Sequence, residues 1–135
     1  MRFVISDTFP PDACHLRSSC IVIDPLTGNF VPATAVWDTG ASRSCISPSI
    51  ATALSLPVVG SATNNTANGT TTSNTHVVDI GIGNVRFQKV AVSTPPLPFD
   101  GMVLIGMDLI GQGRFTVQNI DVNGEQKKVL TLEIP

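Results

Sequence analysis

The sequence has few charged residues, few aromatic side chains and no long apolar run. Charged residues make up 13% of its 135 residues, and tyrosine is absent. This charged share is about half of the ~25% that is usual in globular proteins. The eight Lys and Arg are scattered along the chain, so no basic stripe exists to hold a nucleic-acid backbone. No apolar run approaches the ~20 residues of a membrane-spanning helix. We therefore expect neither a nucleic acid nor a membrane as a partner.

Cysteine is also scarce and odd in number. Cys14, Cys20 and Cys45 cannot form a closed disulfide framework. A zinc site that combines them with His15 is conceivable, but the chain has no CxxC pair. Reduced thiols, without a metal or cofactor, are the expected state. The apolar stretch at residues 3–5 is too short for the core of a signal peptide, so we expect a cytoplasmic protein.

What the chain does contain favours β-structure. Val, Ile, Thr and Ser are abundant, and β-branched side chains are better accommodated in strands than in helices. Turn residues at 25–29, 83–84 and 123–124 separate apolar runs, which predicts three hairpins and hence an all-β sandwich or barrel. Short helical segments are expected after Ser47-Pro48 and at residues 107–110. The length predicts a single domain.

One segment, residues 60–76, is built of Thr, Asn, Gly and Ser. It has no charged residue and no large apolar side chain before His76. Such a segment cannot anchor itself in a core, so it is expected to be a mobile loop or the tip of a hairpin.

The strand predicted at residues 30–37 ends in Asp38-Thr39-Gly40. Such a strand end can expose a carboxylate at a cleft, and Gly40 and Ala41 let the backbone approach a ligand. The tripeptide alone is also compatible with an ordinary turn, since it occurs by chance in roughly a few per cent of chains this long. It gains weight from the apolar strand before it and from the segment VLIGMDLI downstream.

The two segments Ala35–Ser42 and Val103–Ile110 resemble those of the retropepsin-like aspartic proteases, and most closely the bacterial members of that clan. The resemblance covers roughly residues 19–134. It implies an all-β fold, a retropepsin-like closed barrel with one short helix. Residues 19–135 would form the protease domain, and residues 1–18 an N-terminal extension or an interface arm.

The same resemblance implies roles for individual residues. Asp38 would be the catalytic aspartate, and Thr39 would lock the active-site loops of two subunits together. Gly40 would offer its carbonyl to the substrate. Ala41 and Ser42 would complete the loop.

Two further elements follow from the resemblance. Ile105 and Gly106 would form the apolar-Gly element that packs beneath the aspartate loop. The flap that covers the substrate would have its candidate residues at Asn68, Gly69 and Thr70.

The chemistry of the clan implies a homodimer. It requires two carboxylates that share one proton, and one Asp-Thr-Gly per chain supplies only half of such a site. The resemblance therefore implies a homodimeric aspartic endopeptidase that hydrolyses a peptide or protein substrate with a water activated between two Asp38 carboxylates. Asp108 is the alternative partner within one chain, but its counterpart in the family is structural.

Several features leave alternatives open. The acidic residue and the arginine that pair in viral relatives are replaced by Ser42 and Met107, so that ion pair is absent. This supports an alternative function, a catalytically weak or inactive peptide-binding or dimerisation module of the same fold. Arg43 could meet a substrate carboxylate or simply be solvated at a rim. Cys45 is expected to be a small buried group rather than a nucleophile.

Overall fold

The computed structural model describes residues 2–66 and 69–135, and this part of the chain is built mainly of β-strands. Its elements in chain order are β1 (Phe3–Phe9), β2 (Arg17–Ile23), β3 (Phe30–Trp37), β4 (Cys45–Ile46), α1 (Pro48–Ala53), β5 (Gly60–Thr66), β6 (Gly69–Ile82), β7 (Val85–Ser93), β8 (Met102–Ile105), α2 (Met107–Ile110), β9 (Arg114–Val122) and β10 (Glu125–Ile134).

Six of the strands form a closed barrel. Their order is β2-β3-β8-β4-β7-β6, and the antiparallel pairing of β6 with β2 closes the ring. Strand β5 extends the sheet beyond β6 as the second arm of a long hairpin. The predicted closed all-β barrel is thus confirmed. The helix α2 spans the predicted residues 107–110, and α1 adds a second short helix at the predicted Ser-Pro start.

Alternation of side chains along the strands builds the core. In β2 every second residue from Ser18 to Val22 is buried, and in β10 Leu130 and Leu132 are fully buried. A strand directs successive side chains to opposite faces, so this period of two places one apolar face of each strand inside.

A bulge in β7 lets both halves of that strand face the core. Val78 pairs with Val90 and Ile80 with Phe87, so β7 has one extra residue between these pairs. Lys89 there adopts a positive φ of 52°. The extra residue shifts the alternation by one position, and both Phe87 and Val90 are therefore buried.

The carboxylate of Asp79 fixes this bulge. It is only 4% exposed. It accepts a hydrogen bond from the Lys89 backbone N–H at 2.8 Å and another from Arg86 Nε at 2.9 Å. The buried charge is therefore paired, and its partners include the strained residue of the bulge.

The first strand belongs to a smaller, three-stranded sheet of order β1-β10-β9. Strand β1 pairs antiparallel with β10 from Phe3–Ile134 to Phe9–Lys128, and Ile5 is buried in the common core. Both edges of β10 are thus paired within the chain. Within the described ranges, none of the helices has the length and apolar character needed to cross a membrane.

We predict that Asp79→Ala lowers the free energy of unfolding by about 2–3 kcal/mol, because it leaves the part-buried N–H of Lys89 without its acceptor and removes the partner of Arg86. Urea unfolding of the purified protein measures this change. The matched control is Asp121→Ala, which removes an exposed turn acceptor for Gly124 and should cost under about 1 kcal/mol. Equal losses in the two variants would contradict the role assigned to Asp79.

Candidate active site

The loop that carries Asp38 is anchored to the end of β8. Strands β3 and β8 run parallel, and the Asp38 N–H donates to the Ile105 carbonyl at 2.9 Å. The loop then folds around its own carboxylate, because Gly40 N–H donates to Asp38 Oδ1 at 2.9 Å. Ala41 N–H also donates to the Asp38 carbonyl at 3.2 Å. The half-buried carboxylate is held at the end of the barrel.

Gly106 packs directly beneath this loop. A Cβ added to it would lie 2.7 Å from the Arg43 carbonyl carbon and 2.9 Å from the Ala41 oxygen, closer than real side chains approach. The next residue, Met107, donates its N–H to the same Ala41 oxygen at 2.7 Å. Ile105, just before, is fully buried. The structure therefore brings the two predicted apolar-Gly residues against the predicted aspartate loop.

A buried serine joins the loop to α2, and the sequence analysis did not identify it. Ser44 is fully buried. Its hydroxyl donates to Asp108 Oδ1 at 2.8 Å and accepts from Gly106 N–H at 3.0 Å. Its own N–H donates to Asp108 Oδ2 at 3.1 Å. No sequence pattern links the two residues, since they are 64 positions apart.

The same contacts assign Asp108 a structural position. Both of its oxygens accept hydrogen bonds, and Oδ1 also accepts from the Leu109 N–H at 3.0 Å. Asp108 is absent from the described residues that line the cleft beside Asp38. It therefore stands behind the loop and supports it from α2.

Asp38 lies in a cleft of about 690 Å³ between the aspartate loop and the hairpin β5–β6. The loop side contributes Asp38 and residues 40–45. The hairpin side contributes residues 61–65 and Thr75, and the proline-rich segment 95–97 also lines the cleft. An extended chain laid in this cleft would pass between the carboxylate and the hairpin.

The predicted loop residues lie at or beside this cleft. Gly40, Ala41 and Ser42 line it. Thr39 is exposed, and among the described residues its hydroxyl has no hydrogen-bond partner.

Of the predicted flap residues, Asn68 lies outside the described residues. Gly69 and Thr70 begin β6, at the end of the hairpin opposite Thr75. The hairpin residues that line the cleft are instead 61–65 and Thr75. The alternation of apolar and polar residues along a strand could not show which hairpin residues face the cleft, because this segment is polar on both faces.

A chain of hydrogen bonds connects the hairpin to the cleft wall. Asn64 Nδ2 donates to Ser73 Oγ at 2.9 Å within the hairpin. Asn64 Oδ1 accepts from Ser93 Oγ at 3.0 Å, and Ser93 Oγ lies 3.3 Å from Cys45 Sγ. Either atom of the Ser93–Cys45 pair can be the donor. The hairpin is thereby tied to β7 and β4.

Burial makes the Cys45 thiol a poor nucleophile. Desolvation raises its pKa above the ordinary value, and the nearby Asp108 charge raises it further, against the opposing hydrogen bond with Ser93. Burial raises the pKa of Cys20 to about 12. At neutral pH both groups are thiols rather than thiolates, and only the thiolate attacks.

The family model described as gag-polyprotein putative aspartyl protease matches residues 26–112, a span that includes the aspartate loop, the hairpin and α2. No curated protein sequence matches the chain.

A solved structure is similar over nearly the full length. The crystal structure of a retropepsin-like aspartic protease from Rickettsia conorii superposes with a TM-score of 0.59 at 18% sequence identity. The match covers 99% of this chain and 96% of that one. This likeness confirms the retropepsin-like fold that the sequence predicts.

We predict that Ser44→Ala lowers the free energy of unfolding by about 2–3 kcal/mol, because it leaves the buried Gly106 N–H unpaired and removes a donor from Asp108. Urea unfolding measures the loss. Ser42→Ala is the matched control, since Ser42 is exposed and its loss should cost less than about 0.5 kcal/mol. If Ser44→Ala were as stable as the control, Ser44 would not stabilise the contact between the aspartate loop and α2.

The three thiols should differ in their reactivity. Cys14 is exposed, whereas Cys20 is buried and Cys45 is partly buried. At pH 8 a thiol reagent should label Cys14 quickly and the other two much more slowly, because their raised pKa values keep them protonated. Mass spectrometry of the labelled peptides identifies the sites. Unfolding in urea should equalise the three rates, and rapid labelling of native Cys45 would be the contrary result.

Proposed function

The chain belongs to the gag-polyprotein putative aspartyl protease family, and we propose that it is an aspartic endopeptidase that acts as a homodimer. The observation that carries this proposal is the position of Asp38. It lies in a cleft of about 690 Å³ beneath a hairpin, and it is the one carboxylate among the described lining residues. The rest of the site is thus supplied by a second copy of the chain.

The need for that second copy follows from the chemistry. Two carboxylates held close together cannot both ionise, so one keeps a proton and serves as the acid while the other serves as the base. Asp108 does not offer the second carboxyl, because Ser44 and Leu109 occupy its oxygens. A two-fold axis beside Asp38 would bring the two equivalent carboxyls together.

The surface around Asp38 is suited to such an axis. Thr39 is exposed beside it, and we propose that its unpartnered hydroxyl hydrogen-bonds across the axis to the other subunit. Both edges of β10 are paired within the chain, so an interchain sheet cannot form along that strand. Strand β1 lies at the edge of its sheet, and it would serve as an interface arm.

Hydrolysis would proceed through a water held between the two Asp38 carboxyls. The ionised carboxylate removes a proton from the water, and the oxygen attacks the scissile carbonyl carbon. The protonated carboxyl gives its proton to the carbonyl oxygen, which yields a tetrahedral diol. Transfer of a proton to the amide nitrogen then breaks the C–N bond and releases an amine and a carboxylic acid.

The hairpin β5–β6 would hold the substrate over this pair. Its lining residues are small or polar, with Ser61, Ala62 and Thr63 facing the cleft. Backbone groups and hydroxyls would therefore contact an extended peptide on the hairpin side. Gly40 would offer its carbonyl on the opposite side.

We predict that Asp38→Asn lowers the rate of peptide cleavage by about 100-fold to 10,000-fold, because the amide cannot act as the general base. Cleavage of a peptide library between pH 4 and 7, followed by mass spectrometry, measures the rate. Asp12→Asn is the matched control, since Asp12 is exposed on the N-terminal segment. Equal cleavage by wild type and Asp38→Asn would overturn the proposal.

Subunit mixing tests the homodimer separately. Excess Asp38→Asn protein, equilibrated with wild type, should suppress wild-type activity because mixed dimers contain only one functional carboxylate. A chain that needs only its own Asp38 would be unaffected. Peptide binding without cleavage by wild type at any pH would favour the alternative of an inactive binding or dimerisation module.

A further inference from the structure

The cleft beside Asp38 is almost uncharged. Among its described lining residues, the charged side chains are Asp38 itself and Arg43. The others are small, hydroxyl-bearing, amide or apolar groups contributed by the hairpin, by β7 and by the proline-rich segment. Apart from Asp38, Arg43 is therefore the one charged side chain among the described lining residues that a bound peptide would contact.

The backbone of Arg43 is fixed while its side chain is left exposed. Gly106 packs against the Arg43 carbonyl, and the following residue, Ser44, is fully buried. The Arg43 side chain is exposed, and within residues 2–66 and 69–135 no carboxylate lies within ion-pair distance of it. The neighbouring Asp108 accepts its hydrogen bonds from Ser44 and Leu109 instead.

We propose that Arg43 is a specificity-determining residue that selects peptides with an acidic side chain next to the scissile bond. This inference rests on the proposed peptidase function. A guanidinium presents its donors in a planar fork that matches a carboxylate, and it stays charged at every assay pH. Because Arg43 lines the same cleft as Asp38, a side chain bound by Arg43 would lie near the bond to be cleaved.

The test uses peptides that differ at one position only. At each of four positions on either side of the scissile bond, matched peptides carry Glu, Gln or Lys, and kcat/KM is measured for each. Wild type should prefer Glu over Gln by about 1.5- to fivefold at one of these positions, the size expected for an exposed charge pair. Equal values for Glu and Gln at every position would overturn the proposal.

Variants of Arg43 assign the preference to this residue. Arg43→Gln should bring the Glu/Gln ratio to about one, and Arg43→Glu should reverse it in favour of Lys. Arg43→Lys keeps the charge without the fork and should retain part of the ratio. A Glu preference that persists in Arg43→Gln would contradict the proposal, and thermal melting confirms that each variant is folded.

The pH dependence of the ratio provides a second readout. The substrate glutamate loses its charge as the pH falls through about 4.3, so the Glu/Gln ratio should fall toward one there. Asp38 and Cys45 line the cleft, and Asp108 lies behind Ser44. These titratable groups act on both peptides, so the ratio isolates the charge of the substrate. A ratio that is constant across this range would contradict recognition of a carboxylate.

Binding separates this inference from the proposed function. The same Glu and Gln peptides are titrated into Asp38→Asn protein, which keeps Arg43 but not the catalytic base, and binding is followed by fluorescence anisotropy. Tighter binding of the Glu peptide, without any cleavage by wild type, would support the charge selection and overturn the peptidase function. Cleavage by wild type without a difference between the Glu and Gln peptides in either assay would support the peptidase function and overturn the charge selection by Arg43.

Discussion

The hydroxyl of Ser44 lies buried between the backbone N–H of Gly106 and the carboxylate of Asp108, and the position of the aspartate loop depends on this contact. Two segments far apart in the sequence meet there, one just before β4 and the other at the start of α2. Because Gly106 has no side chain, the loop backbone can approach within a distance that a Cβ would forbid. Both carboxylate oxygens of Asp108 accept hydrogen bonds in this contact. Asp38 is therefore the carboxylate that lines the cleft among the described residues.

The two aspartates have different roles, since Asp108 supports the loop and Asp38 lines the cleft. Asp38 is half-buried at the base of a cleft, and its loop offers an exposed threonine and an exposed arginine beside it. One carboxylate cannot serve as both acid and base toward the same water, so a single chain carries half of the proposed machinery. The second carboxyl would come from the symmetry-related subunit. Arg43 and the residues of the hairpin would then determine which peptide binds across the two Asp38 side chains.

Much of the barrel could be predicted from the sequence, because its hairpins are local and their turns carry Asn-Gly or Gly-Asn pairs. The apolar run before Asp38 and the Gly after Ile105 likewise predicted the two segments that meet at the site. The pairing of β1 with β10 joins opposite ends of the chain, and no local pattern encodes its register. The bulge at Lys89, the Ser44–Asp108 contact and the cleft-lining part of the hairpin also depend on tertiary geometry. The flap candidates Asn68, Gly69 and Thr70 stay a prediction, and the hairpin residues that line the cleft are 61–65 and Thr75.

The central claim is that two copies of Asp38 form one catalytic pair. A crystal structure of the protein with a statine-type peptide inhibitor tests it most directly, because such a compound carries a hydroxyl where the attacked carbonyl would be. We expect a two-fold dimer in which the two Asp38 carboxyls lie about 3 Å apart and both contact that hydroxyl. An inhibitor bound to a monomer, or a dimer that holds the two Asp38 side chains far apart, would contradict it.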